Sequence, residues 1–431
     1  MHSVLRHSIQ NGSRIWLYNY NFEFELAQIT PENGDKKRFP WYFLNRSSSL
    51  FLPLAAADDR ILVYEMPNPD LMSRLRQKLD FLPEYYVLNT RDRESNAILN
   101  DLFHAPSNIA AFESYRLEPW GWSPKAIKVA NSIQGISEDN RSDIDIIRFL
   151  NSKRTSYILR NRLLPSSFRF PSEIIDLHAI KSVPLHQRID KFANKHRKFY
   201  VKHYFGTSGQ LSTFYPNDRV SKKALRQFMS WIEGSGGILL EKKLEARKEF
   251  SFQFDFNKSR ATFVGMTEGL YSKFGSYRGS IVFRNVEHKY QKVIKLLEPV
   301  CDYILSSHYR GPLGIDMMET KEGGLKFLEI NARYTMGRLA IAWHQKVNSQ
   351  EYGLFSNQFF TTESFIDTRN LLNELDSIQK PPQTEIMLIH YCCRPYGKKF
   401  HCFCTILIGS ANRSHLLKCS KDFNALFKNV F

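Results

Sequence analysis

The stretch GIDMMETKEGGLKFLEINAR, residues 314–333, decides the fold of this chain. Two runs of apolar residues flank a glycine-containing turn, which is the pattern of a β-hairpin. If the turn begins at Glu322, Asp316 lies opposite Glu329; a turn one residue later places Asp316 opposite Asn331. In both registers these three side chains share one face of the hairpin, because side chains alternate along a strand.

The two carboxylates on this face predict a cation site. Directly opposed Cβ atoms lie about 5 Å apart, and like charges at that distance repel each other. In an otherwise apolar sheet, Asp316 and Glu329 therefore need a positive partner. Hard oxygen ligands in small number favour Mg²⁺ that also bridges phosphate oxygens. The alternative is the solvated face of an edge hairpin.

The residues before this hairpin predict further strands and helices in a regular order. In EFSFQFDFN, residues 249–257, four phenylalanines alternate with polar residues, which predicts a strand with one buried face. The segments 236–244 and 198–203 are also predicted strands, and 151–165, 221–234 and 288–305 are predicted helices, with Gly234 ending the second of these.

The two ends of the chain have patterns of their own. Residues 15–22 and 60–67 predict buried strands, and 68–82 predicts a helix with Pro69 at its first position. Strand and helix in alternation indicate a small α/β domain with a parallel sheet. Near the other end, 385–393 and 400–409 predict a hairpin, whereas 345–385 shows no clear pattern.

The composition excludes several classes of protein. The chain has 431 residues, of which 42% are hydrophobic and 24% charged, as in globular proteins of two or three domains. Its net charge of +17 favours anionic partners such as nucleotides. Six cysteines and no apolar run of about 18 residues indicate a reduced protein that has no transmembrane helix and is expected in the cytoplasm.

The metal hairpin resembles that of the ATP-grasp superfamily, in which a Glu, an Asn and an Arg follow each other at every second position. FLEINAR matches this pattern, and the other motifs of the superfamily precede it in the expected order between about 150 and 340. The resemblance implies an α/β ATP-grasp fold with an N-terminal Rossmann-like pre-ATP-grasp domain and a C-terminal β extension. The regions expected on this basis are 1–145 (pre-ATP-grasp domain), 146–235 (small lobe), 236–345 (large lobe with the metal site) and 346–431 (extension).

The resemblance also implies roles for individual residues. Asp316, Glu329 and Asn331 would bind Mg²⁺, or alternatively Mn²⁺, and Arg333 and Lys202 would be catalytic. The residues that would contact ATP come from a helix, a strand, a glycine loop and a hinge: Lys153, Lys202, Gly206, Thr207, Ser208, Gly209, Glu241, Lys242, Leu244 and, at the ribose, Glu249.

Simple chemistry supports several of these roles. ATP carries about four negative charges, so two lysines from separate elements can hold its phosphates as point charges. Small residues at 206–209 let backbone N–H groups approach phosphate oxygens. Arg333 lies on the same face as Asn331 and can stabilise a phosphoryl group or an oxyanion. Arg278 and Arg338 are candidates for binding a substrate carboxylate, with surface positions as the alternative.

Four cysteines near the C-terminus permit two interpretations. Cys392, Cys393, Cys402 and Cys404 flank the predicted C-terminal hairpin. Their spacing lacks a zinc knuckle, and alternation sends the first two to opposite faces of a strand. Small buried apolar side chains are therefore favoured over zinc ligands.

The sequence thus predicts an ADP-forming carboxylate–amine ligase that uses ATP and Mg²⁺. The resemblance implies an acyl-phosphate intermediate and, as substrates, a small carboxylate and an amine such as an amino acid or peptide. Arg333 and Arg338 favour an anionic acceptor, because a guanidinium holds a carboxylate with two hydrogen bonds. The alternatives are an ATP-binding protein without ligase activity, an ATP-grasp kinase and, supported only by the charge, a nucleic-acid-binding protein.

Overall fold

The chain forms three β-sheets with helices packed against them. The computed structural model describes residues 13–20, 22–27, 47–88, 112, 115–134, 141–206, 211–216, 220–271, 277–347 and 350–429. Within these ranges, no helix is both long and apolar enough to cross a membrane.

The N-terminal sheet has four parallel strands in the order β3-β2-β1-β4. Its strands are β1 (Arg14–Leu17), β2 (Arg60–Val63), β3 (Glu84–Val87) and β4 (Arg116–Pro119), and its helices are α1 (Phe22–Leu26), α2 (Pro69–Lys78) and α3 (Pro124–Gln134). In this order the strands that follow β1 lie on both of its sides, as in doubly wound sheets. The predicted Rossmann-like sheet is confirmed.

The predicted strand over 15–22 is too long. β1 ends at Leu17, because Asn19 turns its side chain towards the loop after β4. There its amide donates to the carbonyl of Gly121 at 2.7 Å, and its oxygen accepts from the Gly121 N–H at 3.2 Å. This pair of hydrogen bonds joins the loops that follow the neighbouring strands β1 and β4.

The second sheet is antiparallel, with the order β5-β8-β6-β7. Its strands are β5 (Ser172–Asp176), β6 (Phe199–His203), β7 (Ser212–Tyr215) and β8 (Gly237–Lys242). The helices of this part are α4 (Ile144–Asn151), α5 (Lys153–Leu163), α6 (Leu177–Ser182), α7 (Leu185–His196) and α8 (Lys222–Ser235).

Two helix boundaries in this part differ from the predictions. The helix predicted over 151–165 begins at Lys153, because the Ser152 hydroxyl caps it by accepting from the Arg154 N–H at 3.3 Å. Helix α8 continues past the predicted stop at Gly234 to Ser235, and Gly236 caps it with the left-handed φ of +85°.

The third sheet has eight antiparallel strands in the order β13-β12-β9-β10-β11-β14-β16-β15. They are β9 (Ala246–Phe256), β10 (Ala261–Tyr271), β11 (Tyr277–Phe283), β12 (Gly311–Thr320), β13 (Leu325–Asn331), β14 (Tyr352–Thr362), β15 (Thr384–Tyr396) and β16 (Lys399–Ser410). The predicted C-terminal hairpin, β15–β16, extends this sheet. The four phenylalanines of β9 are buried, as their alternation predicts.

Helices α9 (His288–Leu296), α10 (Glu298–Ser306), α11 (Met336–Val347), α12 (Thr368–Ser377) and α13 (Arg413–Asn429) complete the chain. The single helix predicted over 288–305 is broken at Leu297, because Pro299 has no N–H to continue the hydrogen bonding of α9. The unassigned segment 345–385 contains β14 and α12; β14 is buried in its centre and shows no alternation to predict it.

Candidate active site

The hairpin β12–β13 places the predicted metal residues as one of the two registers requires. Asp316 lies directly opposite Glu329, so the earlier turn position is correct at this point. Immediately beyond, the register shifts by one residue, and Met317 lies opposite Phe327. The shift is a β-bulge, which re-aims side chains next to it.

Asp316 is held by two uncharged donors. Its Oδ1 accepts a hydrogen bond from Ser251 Oγ at 2.5 Å, and its Oδ2 accepts from Asn331 Nδ2 at 2.9 Å. Burial, followed by repulsion from Glu329, raises the pKa of Asp316 to about 7. The carboxylate is therefore fixed in place, and among the described residues no cation bonds to it directly.

This donor set fits a divalent cation. Two carboxylates and an amide oxygen on one face are hard ligands, and Mg²⁺ usually completes such a set with water and phosphate oxygens. Asn331 Oδ1 accepts from Arg333 Nη2 at 2.9 Å and retains a second lone pair. Among the residues that the structure describes, no group of three or more His, Cys, Asp or Glu side chains is arranged to hold a metal.

Lys153 contacts the other carboxylate of the pair. Its Nζ lies 2.9 Å from Glu329 Oε2 and donates to the carbonyl of Gly206 at 2.8 Å. Although burial favours the neutral acid, Lys153 and then Lys202 lower the pKa of Glu329. Helix α5 is tied to β13 by Ser156, whose hydroxyl accepts from the Ile330 N–H at 3.0 Å. This bond keeps Lys153 beside the hairpin.

Lys202 belongs to a buried ion cluster that extends towards the hinge. Its Nζ lies 2.7 Å from Glu241 Oε2, and Arg160 Nη1 lies 3.1 Å from Glu241 Oε1. The Arg160 side chain is fully buried. Burial opposes ionisation of Lys202, but Glu241 and Glu329 outweigh it and raise the pKa of Lys202. Lys202 is thus cationic and electrostatically coupled to both Glu241 and Glu329.

The predicted hinge residues line the end of β8 and the start of β9. The Glu241 side chain is committed to Arg160 and Lys202, and its backbone lies between β5 and β6. Lys242 is exposed and Leu244 half-buried. Burial raises the pKa of Glu249, which interacts with Lys202 and Glu329. Glu249 therefore lies near Lys202 and Glu329 as well as near the hinge.

The predicted glycine loop lies mostly beyond the described residues. Gly206 is described, with a φ of +145° and its carbonyl on Lys153. Thr207, Ser208 and Gly209 lie outside the described residues.

Arg333 joins the site to the N-terminal sheet. Its Nε donates to Glu23 Oε1 at 2.8 Å, and its Nη2 donates to Asn331. Burial opposes its charge, but Glu23 raises the pKa of Arg333 above its ordinary value. The guanidinium also lies 5.7 Å from the centre of the Trp120 ring. Glu23 lies on α1 and Arg333 follows β13, so the contact joins two distant parts of the chain.

The two arginines proposed for a substrate carboxylate have different surroundings. Arg338 is 8% exposed in its side chain and pairs with Asp255 at 3.0 Å. Its Nη1 is buried without a hydrogen-bond partner among the described residues. Arg278 is exposed near the start of β11. Arg338 therefore packs against β9 of the eight-stranded sheet, whereas Arg278 lies at the surface.

A chain of hydrogen bonds that the sequence did not single out runs from Asp316 to α11. Ser251 Oγ accepts a hydrogen bond from Gln253 Nε2 at 2.7 Å, and Gln253 Oε1 accepts one from the Thr335 hydroxyl at 2.7 Å. Thr335 in turn accepts from the Arg338 N–H at 3.0 Å. Ser251 and Gln253 are polar residues that alternate with the phenylalanines of β9. This alternation is the feature of the sequence from which their place on the opposite face of the strand could have been predicted.

The C-terminal cysteines do not gather at one point. Cys393 lies opposite Cys402 across β15–β16, and Cys404 lies opposite Tyr391. Since no group of three or more metal-ligating side chains occurs in the described part of the chain, the arrangement does not favour zinc. Cys393, Cys402 and Cys404 are buried, in keeping with the favoured interpretation.

Comparison with known proteins agrees with this geometry. Residues 173–337 match the family model described as an ATP-grasp domain. The match contains Lys202, Glu241, Asp316 and Glu329, and it begins after Lys153. A search of curated proteins found no match.

Solved structures show the same fold along nearly the whole chain. An ADP complex of N5-carboxyaminoimidazole ribonucleotide synthetase is 12% identical, with a TM-score of 0.54, covering 98% of this chain and 99% of that one. The same enzyme from Thermus thermophilus is 12% identical, with a TM-score of 0.53 and coverages of 96% and 99%. A biotin carboxylase from Campylobacter jejuni is 10% identical, with a TM-score of 0.55 and coverages of 95% and 90%.

The similarity at these low identities concerns the fold. Together with the family match it confirms the predicted resemblance, including the Rossmann-like N-terminal sheet and the C-terminal β extension. Residues 173–337 thus match an ATP-grasp domain, and the fold of the described residues is similar to that of N5-carboxyaminoimidazole ribonucleotide synthetase and biotin carboxylase.

Proposed function

We propose that this protein is an ATP-dependent carboxylate–amine ligase that forms an amide or peptide bond and releases ADP. The observation that carries the proposal is the pair Asp316 and Glu329, directly opposed and flanked by Lys153 and Lys202. Two adjacent carboxylates are suited to bind a metal ion, and two ammonium groups are suited to bind phosphates. Mg²⁺ bound to ATP satisfies both requirements.

ATP would lie between the second and third sheets. Its adenine would contact the backbone at 242–244, because the Glu241 side chain is occupied by Arg160 and Lys202. Glu249 would bind the ribose, and Lys153, Lys202 and the loop that begins at Gly206 would hold the phosphates. The raised pKa of Lys202 supports this role, since the ammonium remains charged throughout the physiological pH range.

The metal residues would be Asp316, Glu329 and Asn331. These residues would hold Mg²⁺ beside the phosphates of ATP, where the ion would supply positive charge. The hydrogen bonds from Ser251 and Asn331 hold the Asp316 carboxylate in a single orientation. Lys153 does the same for Glu329.

The reaction would have two steps. An oxygen of the acceptor carboxylate attacks the γ-phosphorus of ATP, ADP leaves, and an acyl phosphate forms. The amine then attacks the acyl carbon, phosphate leaves, and the amine loses a proton. Arg333 would donate hydrogen bonds to the carboxylate and the developing negative charge, with Glu23 and Asn331 holding its guanidinium in place. An amine that arrives neutral needs no protein base to be activated.

The acceptor would bind where β1 and β4 end, beside Arg333. Ligands of doubly wound sheets bind at the carboxyl ends of strands on either side of the central strand. Tyr18 follows β1 there, 4.6 Å from Trp120 between ring centres, and its buried hydroxyl has no hydrogen-bond partner among the described residues. Arg333 and Tyr277 are close enough to affect its pKa. Region 1–145 would thus select the acceptor, and Arg338 and Arg278 remain proposed contacts.

Hydroxylamine trapping tests this proposal. The protein is incubated with ATP, Mg²⁺, hydroxylamine and pools of amino acids, peptides or small acids, and ADP and hydroxamates are both measured. If an acyl phosphate forms, hydroxylamine converts it to the hydroxamate of the acid that supports ADP release. Asp316→Asn should abolish both products, whereas Lys321→Ala, at the exposed turn of the same hairpin, should leave both unchanged.

Two results would contradict the ligase proposal. ADP release with a stable phosphorylated product and no hydroxamate would identify a kinase. The second result is that the protein binds ATP, and binds the acid and the amine of a pool, but does not turn ATP over. It would identify a non-catalytic nucleotide-binding protein.

A further inference from the structure

The C-terminal hairpin carries two thiols that face each other. Cys393 of β15 lies directly opposite Cys402 of β16, and their Sγ atoms are 2.9 Å apart. Opposed residues of antiparallel strands have Cα atoms about 4.5–5.5 Å apart. Disulfides span Cα distances of about 4.4–6.8 Å with a bond length of about 2.05 Å. The backbone therefore already has the separation that a disulfide requires.

The surroundings of the pair favour reaction at Cys393. The Cys402 thiol donates to Cys393, and this hydrogen bond lowers the pKa of Cys393. The Tyr391 hydroxyl lies 3.7 Å from Cys402 Sγ and donates to the carbonyl of Ile366 at 2.9 Å. A thiolate is the nucleophilic form of cysteine. Cys393 is also the less buried residue of the pair, so it is the sulfur that reacts first.

The neighbouring cysteines lack this geometry. Cys392 lies next to Cys393 and points to the opposite face of the strand, because side chains alternate. Cys404 shares the face of Cys402 but lies opposite Tyr391. These two residues are natural controls for the pair.

We propose that Cys393 and Cys402 are a thiol oxidation site that forms a reversible disulfide. The oxidant is a small peroxide such as hydrogen peroxide. The Cys393 thiolate attacks one peroxide oxygen and breaks the O–O bond, which gives a sulfenic acid and, after protonation, water. The Cys402 sulfur then attacks the sulfenic sulfur, and the hydroxyl leaves with the Cys402 proton as a second water. The two thiols lose two electrons, and the peroxide gains them.

The position of the pair provides access and a structural consequence. Cys393 is 5% exposed and Cys402 1% exposed, close to the hairpin end, where Pro395 and Lys399 are exposed. A small oxidant would approach the pair from this end, where Cys393 retains its slight exposure. Arg394, the next residue of β15, pairs with Glu65 just after β2. A disulfide would therefore clamp the hairpin where it touches the N-terminal part of the chain.

Thiol counting and peptide mapping test the site on the full-length protein. Reduced, desalted protein is treated with hydrogen peroxide, denatured, and titrated for free thiols. The free thiols should fall by two from the six of the chain, with a mass loss of about 2 Da that dithiothreitol reverses. A non-reducing peptide map should link Cys393 to Cys402. Cys392→Ser and Cys404→Ser should behave as wild type, while Cys393→Ser and Cys402→Ser should lose the link.

Several results would overturn the proposal. They are retention of all six thiols under peroxide, a link from Cys393 to Cys404, a link between two chains, or oxidation that stops at sulfinic acid. The map of the wild-type protein decides the question even if a serine variant fails to fold.

Discussion

Replacing Asp316 with Asn should stabilise the metal-free protein while it abolishes turnover. In the folded protein the pKa of Asp316 is raised from 3.8 to about 7 by burial and by Glu329. The unfolded chain therefore releases this proton first as the pH rises, and the free energy of unfolding falls between about pH 4 and pH 7. An asparagine side chain cannot ionise, so the Asp316→Asn variant escapes this loss.

The pKa difference sets a ceiling on the effect. The interval from 3.8 to about 7 corresponds to about 4 kcal/mol at 1.36 kcal/mol per pH unit. The gain will be smaller, because the side chain is partly exposed and the Asn amide must donate to Ser251, which now donates to Asp316. We expect about 1–2 kcal/mol above pH 7, which is a rise of a few degrees in Tm.

Glu329→Gln is the matched control and should have the opposite sign. Lys153 and Lys202 lower the pKa of Glu329, so its charge stabilises the fold and its removal should destabilise the metal-free protein. Thermal unfolding in EDTA at pH 4.5 and pH 8 measures both variants. The Asp316→Asn gain should appear at pH 8 and be small at pH 4.5, and Mg²⁺ should reduce it. A loss of stability in Asp316→Asn at pH 8 would refute the reasoning.

Three further substitutions test other parts of the site. Arg160→Met should cost about 3–5 kcal/mol of stability in urea unfolding, because Arg160 is fully buried and donates to the Phe327 carbonyl and Ser172 as well as to Glu241; a loss under about 1 kcal/mol contradicts the buried cluster. Lys202→Ala should raise the KM for ATP at least about tenfold with a small change in Tm, since Glu241 keeps Arg160; an unchanged KM would make Lys202 structural. Glu23→Gln should lower the KM for the acceptor carboxylate, because Arg333 loses its neutralising partner but keeps a hydrogen-bond acceptor; a higher KM contradicts this.

Local patterns were sufficient for the strands that form the site. Alternation along β9 and the turn in 314–333 predicted the buried phenylalanines and the opposition of Asp316 and Glu329. Both features depend on period-two geometry within a few residues. The resemblance to the ATP-grasp superfamily then depends on the order of the motifs. Each motif alone is weak evidence for the superfamily, whereas their order along the chain is specific.

The partners of the charged residues were beyond the reach of such patterns. Glu23 and Arg333 are 310 residues apart in sequence, and no periodicity connects them. Arg160 lies in a helix rich in basic residues and reads as solvent-exposed, yet its side chain is fully buried. Only the packing of α5 against β8 and β13 shows why a charge is tolerated there: Glu241 neutralises it, and the Phe327 carbonyl accepts from it at 3.1 Å.

Calorimetric titration of ATP into the protein, with Mg²⁺ and then with EDTA, tests the central claim most directly. The account predicts one site per chain in Mg²⁺, with affinity at least about tenfold weaker in EDTA and in Asp316→Asn. Lys321→Ala should bind ATP as wild type does. Absence of ATP binding to the folded protein would contradict a metal–nucleotide site at Asp316, Glu329 and Asn331. Binding in EDTA, or by Asp316→Asn, that is as tight as wild-type binding in Mg²⁺ would contradict it as well.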